Sequence, residues 1–468
     1  MIELTPHLDS RQRTPLYEQL YEYMKREMMQ GHLSAGTALP SVRALSKHLR
    51  ISRNTVEAAY AQLVAEGYIE SQPRKGFVVK ELDDDVVPIV ALKPTVTPAP
   101  LPSVKPRYDF RYGHIDVSQF PLRAWRACMN EALDAPPEEL LWYGERQGEI
   151  GLRQQIARYL FQARGIHCSY EQIVIGAGIH QMTGLLCQLF SPKTNVVAME
   201  NPSYDGIRTV FANHRYRLIP ISLDKDGLNI AALEESDANI AYVTPSHQLP
   251  LGMVLPIGKR QKLLKWAEAK NAFIIEDDYD SEFRYEGKPI PALKALDTQD
   301  RVIYIGTFSK MLTPALRVCY MVLPVRLLPT FQQTFHNYNQ PVATVVQKAL
   351  ALFMQKGHLE RHIRKMRNVY AKKRQALIEV IREQFGEKAD IIGDKAGLHL
   401  LVRFRHIEDV EELVVGAKSE GIHIYSASKY WFDPARVAPP YILLGFGGMS
   451  ESDIREGVRR LKKIVLPS

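Results

Sequence analysis

Apolar residues between positions 15 and 79 recur first at helical spacing and then in short strand-like runs. Pro15 to Gln30 carries Leu16, Leu20, Tyr23 and Met24 along one helical face, with a proline suited to a first turn and Gly31 as the stop. Ser41 is a natural N-cap for a second helix with Val42, Leu45 and Leu49 on one side. Ser52 caps a third, which buries Val56, Ala59, Tyr60 and Leu63 and stops at Gly67. The connection Arg50-Ile51 is short enough for a helix-turn-helix. Tyr68-Ile69-Glu70 and Phe77-Val78-Val79 then read as two strands around the turn Gln72-Pro73-Arg74-Lys75-Gly76, which makes a wing.

The periodicity fails from Glu81 to Tyr108. Three consecutive aspartates are followed there by Pro88, Pro94, Pro98, Pro100, Pro102 and Pro106, with few large apolar residues. Such a stretch cannot bury enough surface to fold and is expected to run as a semi-rigid, extended spacer. Beyond it, apolar runs at 172–176, 195–199, 240–243, 272–275 and 302–306 alternate with helical patterns. That alternation predicts an α/β unit with a mostly parallel sheet and helices on both faces. The expected organisation is therefore a head at 1–80, a linker at 81–107 and a body at 108–468.

Composition sharpens this only in part. A chain of 468 residues is too long for a single core, and its 46% apolar and 24% charged content is ordinary for globular protein. The net charge of +8 permits a nucleic-acid partner. Residues 1–80 hold eleven Lys/Arg and eight Asp/Glu, a net of only +3, so position matters more than bulk charge. Cys128, Cys168, Cys187 and Cys319 are scattered without metal-ligand spacing, which predicts no zinc site and a reducing compartment. The N-terminus has no signal-peptide pattern and no apolar run reaches membrane-spanning length, so a cytoplasmic protein is expected.

In the head, Arg53-Asn54-Thr55 open the third helix with groups that donate to phosphates or read base edges, and Arg74 and Lys75 occupy the hairpin tip. The runs Pro15-Leu16-Tyr17, Leu39-Pro40-Ser41-Val42-Arg43, Ser52-Arg53-Asn54-Thr55-Val56 and Glu66-Gly67-Tyr68-Ile69 closely resemble the DNA-binding domain of the GntR superfamily, over residues 11–80. The resemblance implies that Arg43, Ser52, Arg53, Asn54, Thr55, Arg74, Lys75 and Gly76 meet double-stranded DNA.

In the body, strand ends of an open parallel sheet converge on one crevice. Lys310 follows the run 302–306; a partly desolvated lysine loses its proton more readily and condenses with an aldehyde. Arg317, seven residues on, suits a phosphate, and the aldehyde that carries a phosphate is pyridoxal phosphate. A solvated loop lysine and arginine fit that stretch equally well. Gly176-Ala177-Gly178-Ile179-His180-Gln181 is either a phosphate cradle at a helix start or simply a tight turn. Tyr204 is either a ring that stacks on a flat cofactor or a core tyrosine. Glu276-Asp277-Asp278-Tyr279-Asp280 offers a carboxylate for a pyridine nitrogen and a hydroxyl for a phenolic oxygen, or else an acidic loop of capping residues.

Tyr143-Gly144 before Gly148, Leu152-Arg153, the turn at Gly178, Pro250 and Gly252, Asp277, and Ser309-Lys310 with Arg317 resemble fold-type I aminotransferases, over most of 108–468. With its head, the whole chain resembles the MocR/GabR-type transcriptional regulators. The likeness implies a pyridoxal-phosphate-binding fold with a smaller C-terminal α+β subdomain. By it Lys310 holds the cofactor as a Schiff base, Asp277 meets the pyridine nitrogen, Tyr279 the phenolic oxygen, and Tyr204 the ring face. Gly178, Ile179, His180, Ser309 and Arg317 take the phosphate, and Tyr143 comes from the second subunit of a head-to-tail homodimer. Such a protein binds DNA and senses a small amino compound or the cofactor itself; a working aminotransferase with an appended DNA-binding head is the rival.

Two departures bear on that choice. Where aminotransferases show Asn-Pro-x-Gly this chain has Leu249-Pro250-Leu251-Gly252, leaving His247 or Gln248 as substitutes for the asparagine. Where they place an arginine for the substrate carboxylate, here stands Leu443. Losing that fork removes a contact worth about 1.5–3 kcal/mol, so amino-acid turnover is expected to be poor. Arg436 is a candidate for an effector carboxylate or else a surface residue. Ala315 and Cys319, where small glycines are common, predict tighter packing near the cofactor.

Overall fold

The structure, a computed structural model, describes residues 4–81, 106–287, 290–434 and 439–466. It divides into two compact units, Met1–Ser103 and Val104–Ser468. Nearly all of the expected linker and Arg436 lie outside the described residues.

The first unit consists of helices α1 (Leu16–Met29), α2 (Val42–Leu49) and α3 (Arg53–Ala65), then an antiparallel hairpin of β1 (Ile69–Gln72) and β2 (Gly76–Val79). Ser41 Oγ accepts from Ala44 N, and Ser52 Oγ from Thr55 N, so both caps form as read. Val56, Ala59, Tyr60 and Leu63 are buried against Leu20, Met24 and Met28. One expectation changes: Tyr21, not Tyr23, completes the buried face of α1, and its hydroxyl donates to Glu66 at 2.5 Å. Arg50 takes a left-handed conformation at the end of α2, and Arg74 and Gly76 do so at the hairpin tip, which turns each chain reversal sharply.

The second unit is built on an eight-stranded sheet. Its strands are β3 (Ile173–Gly176), β4 (Val196–Asn201), β5 (Arg217–Asp224), β6 (Gly227–Leu228), β7 (Ile240–Val243), β8 (Phe273–Asp278), β9 (Val302–Thr307) and β10 (Cys319–Val322). They lie in the order β3-β10-β9-β8-β7-β4-β5-β6. Five of these are the expected strands, and β4, β5, β7, β8 and β9 run parallel. Two longer strands were not legible. β5 lies near the edge, with Pro220 and mostly half-exposed residues, so its apolar signal is weak. β10 is antiparallel to both β9 and β3. The connection from β9, Phe308–Val318, is too short for the crossover that a parallel neighbour requires. The stretch that bears Lys310 is therefore a tight reversal between adjacent strands.

A smaller sheet follows the long helix His358–Phe385. Strands β11 (Ala389–Ile392), β12 (His399–Phe404), β13 (Tyr425–Ser426) and β14 (Ile442–Gly445) lie in the order β11-β12-β14-β13, and the helix Glu451–Val465 closes the chain. Their core includes Tyr370, Leu377, Ile381, Leu400, Leu444 and Leu461, the α+β subdomain that was expected. The first residues of the unit belong to it as well. Tyr108-Asp109 pair in parallel with Ile422-His423, and Phe110 N donates to the His423 carbonyl at 2.9 Å. No helix among the described residues is long and apolar enough to cross a membrane.

Candidate functional site: a lysine pocket at the strand ends

β8 explains why an acidic run can be both structure and site. Alternation along a strand sends Glu276 and Asp278 to one face and Asp277 to the other. Glu276 accepts from the backbone N–H groups of Leu293 and Lys294 at 2.7 and 2.8 Å. Asp278 pairs with buried Arg164 at 2.7 Å and accepts from the Tyr304 hydroxyl. These two are the capping and packing residues of the bland reading. Among the described residues Asp277 accepts a hydrogen bond from the Tyr242 hydroxyl alone, and burial raises its carboxyl to about 7.

Lys310 sits on a four-residue helical turn, Phe308–Met311, capped by Thr307, whose Oγ1 accepts from Ser309 N at 3.1 Å. Its Nζ lies 4.4 Å from the centroid of the Tyr112 ring and makes no hydrogen bond or ion pair among the described residues. Desolvation lowers the amine to about 8, partly opposed by the Asp280 charge. Gly113, at φ +101°, permits this approach, since a Cβ there would stand 3.2 Å from the amine.

The glycine turn and Arg317, the residues expected to take a phosphate, come together at the end of β3. Gly178, at φ +106°, begins the helix Ile179–Leu189, and the Arg317 guanidinium occupies the space a Cβ on Gly178 would need. Arg317 Nη2 donates to the Ala177 carbonyl at 3.0 Å. Thr307 and Ser309 pair their hydroxyls at 2.9 Å, so Thr307 joins the set. Sequence reading passed over it although a hydroxyl residue just before Ser309-Lys310 was the available signal. Cys319 packs into the same turn, with its Sγ accepting from Gly178 N at 3.0 Å, the tight packing anticipated there; Ala315 is exposed. His180 and Tyr204 stack at 5.8 Å with planes 18° apart.

The other side of the pocket departs from expectation. Tyr279 is present, but its hydroxyl donates to the His247 carbonyl at 2.8 Å. Of the two substitutes for the missing asparagine, Gln248 is engaged with the Pro202 and Leu249 carbonyls at 2.8 and 2.7 Å, which leaves His247. Leu443 is buried with Leu249, Leu401, Ala427, Tyr430 and Trp431, against Tyr112, Tyr204 and Tyr279, so an apolar side chain occupies the position where an arginine was looked for. Tyr143 is 87% exposed. With Trp142, Phe331, Phe335, Tyr338 and Lys348 it lines a cavity of about 630 Å³ that contains none of Lys310, Asp277 or Arg317. Within one chain, Tyr143 does not reach the lysine pocket.

A half-buried amine held without an ion pair, a buried carboxyl, and a glycine turn clasped by an arginine beside two hydroxyls together fit pyridoxal phosphate. No group of His, Cys, Asp and Glu among the described residues could hold a metal. In the head, Arg43, Ser52, Arg53, Asn54, Arg74, Lys75 and Gly76 are all exposed, while Thr55 is half-buried, with its hydroxyl 2.8 Å from that of Ser52.

A winged helix-turn-helix and an aminotransferase-type sheet with a lysine at its strand ends define the class: a DNA-binding regulator built on an enzyme's fold. Residues 16–79 match the family model for bacterial regulatory proteins of the gntR family, and residues 112–461 match that for class I and II aminotransferases, whose fold relatives depend on pyridoxal phosphate. The chain is 43% identical to a Bacillus subtilis protein described as the uncharacterized HTH-type transcriptional regulator YdeL, over 98% of this chain and 99% of that one. It is 31% identical to the probable rhizopine catabolism regulatory protein MocR of Rhizobium meliloti, covering 98% and 95%. The crystal structure of a Pyrococcus horikoshii kynurenine aminotransferase is similar with a TM-score of 0.69 and 26% identity, over 76% of this chain and 90% of that one. The chain belongs to the MocR/GabR-type transcriptional regulators.

Proposed function

We propose that this regulator carries pyridoxal phosphate on Lys310 and uses the pocket to sense a small amino compound, or the cofactor itself, rather than to turn over amino acids. The observation that carries this is Leu443 buried in an apolar cluster beside an intact set of Lys310, Asp277 and Arg317. When bound, the cofactor supplies an aldehyde that condenses with primary amines and a ring that withdraws electrons. Lys310 Nζ would hold it covalently, Asp277 would share a proton with the ring nitrogen, and Tyr204 would cover one ring face. Gly178, Ile179, His180, Ser309 and Arg317 would hold its phosphate, while Tyr279 faces the phenolic oxygen. An amino acid's carboxylate would find an apolar side chain at Leu443 in place of a cationic fork, so turnover lacks that anchor. Arg436 is assigned to an effector carboxylate.

The head at 1–80 would bind operator DNA through Arg43, Ser52, Arg53, Asn54, Thr55, Arg74, Lys75 and Gly76, tethered by 81–107 to a sensing body at 108–468. An amine that takes the place of Lys310 changes the contacts of the pocket, and a difference in contacts between two states is what shifts a population. The working form would be a cytoplasmic head-to-tail homodimer in which exposed Tyr143 reaches the partner's pocket. A spectral screen of the purified chain against small amines, run beside promoter-fragment binding, tests the proposal. One compound is expected to alter both the visible band and DNA binding, and Lys310→Ala to abolish the band. A band retained in Lys310→Ala, or steady turnover with an amino-acid and keto-acid pair, would overturn it.

A further inference from the structure

The polar groups behind Tyr279 are more elaborate than holding one hydroxyl requires. Besides donating to the His247 carbonyl, the Tyr279 oxygen lies 3.1 Å from His247 Nδ1. The same Nδ1 is 2.9 and 3.1 Å from the two oxygens of Asp280. A carboxylate only accepts, so the proton sits on Nδ1, and in the neutral ring Nε2 is a bare acceptor. That Nε2 is buried and has no hydrogen-bond partner among the described residues. His247 and Asp280 are 2% and 1% exposed. Gly397, at φ +73°, makes room for them, because a Cβ there would overlap both His247 Cε1 and Asp280 Oδ2.

We propose that Asp280 and His247 act through Tyr279 as a positioning relay that sets the proton affinity on the phenolic-oxygen side of the cofactor, in place of the missing asparagine. The relay rests on the reading that Lys310 carries pyridoxal phosphate. Leu249 is buried among apolar residues and cannot serve, and the Gln248 amide is already bonded to backbone. With Nδ1–H drawn to Asp280, His247 offers its carbonyl to Tyr279 and so fixes the direction of the O–H.

The groups facing the imidazole are Asp280 and Tyr279 from the turn after β8, and His399 from β12, its ring 5.3 Å away. Farther out, Tyr112, Lys310, Asp277 and Glu200 contribute to the field around Tyr279 and His399. His399 donates through Nε2 to the Pro250 carbonyl at 3.1 Å, and burial, with His247 beside it, lowers it to about 3. It stays neutral and adds no charge beside His247.

The test is a pH titration of the visible band of the lysine-bound cofactor in the full chain, for wild type, His247→Phe, His247→Asn and Asp280→Asn. Cofactor content is measured separately after release in alkali. The apparent pKa of the band is expected to move by about one unit or more in His247→Phe and Asp280→Asn. His247→Asn, which keeps a donor toward Asp280, should recover much of the wild-type value. In a Tyr279→Phe background the shift from His247→Phe should vanish, as a relay through Tyr279 demands. Titrations that superimpose on wild type with cofactor bound, or a shift that persists without the Tyr279 hydroxyl, overturn the relay. A wild-type chain that shows no band after incubation with pyridoxal phosphate overturns the Lys310 reading instead.

Discussion

At the scale of single residues, the pocket is organised by what its neighbours leave unbonded. Lys310 stands over the Tyr112 ring without a hydrogen-bond or ion-pair partner among the described residues, and its lowered amine pKa of about 8 has a kinetic consequence. Condensation needs the unprotonated amine, whose fraction grows as pH rises through that value. The rate at which cofactor-free protein takes up pyridoxal phosphate, followed by stopped-flow absorbance, should climb with pH and level off above about 8. Gly178→Ala should weaken uptake about tenfold or more, since the new methyl would displace the Arg317 guanidinium and strain a left-handed backbone. Spectral titration of the variant checks this. Much of the site was legible because Lys310, Asp277, Gly178 and Arg317 each stand beside a strand end. The His247–Asp280 pair was legible only in half: His247 was named as a substitute, but its partner is thirty-three positions away and only folding joins them.

At the scale of elements, the head follows its local signals closely because three short helices and a hairpin are set by caps, turns and helical spacing. Ser52→Ala removes the cap of α3 and should destabilise the head by about 1 kcal/mol, read by thermal denaturation of the full chain. Replacing Arg74 and Lys75 with alanine should weaken DNA binding across sequences and reduce the salt slope by about two; operator-fragment titrations at several salt concentrations measure it. The sheet was legible where buried strands alternate with helical patterns, as in β7, β8 and β9, and illegible in β10, which is equally buried but follows β9 without an intervening long helix. Four apolar residues after a loop carry no sign of direction; the shortness of Phe308–Val318 does, once both flanking strands are known.

At the scale of the whole molecule, the proposed choice between enzyme and sensor turns on the packed cluster around Leu443. Leu443→Arg would bury a cation among Leu249, Leu401, Tyr430 and Trp431. It should lower the melting temperature in the absence of ligand, with an amino acid restoring part of the loss; calorimetry with and without ligand checks this. The first residues of the second unit set a further condition. Tyr108-Asp109 are held beside Ile422-His423, and the chain runs on directly to Tyr112, whose ring lies 4.4 Å from the Lys310 amine. The N-terminal edge of the second unit is thus pinned next to the lysine, so a ligand that displaced the amine would disturb Tyr112 and the short pairing at Tyr108-Asp109 before any more distant part of the unit.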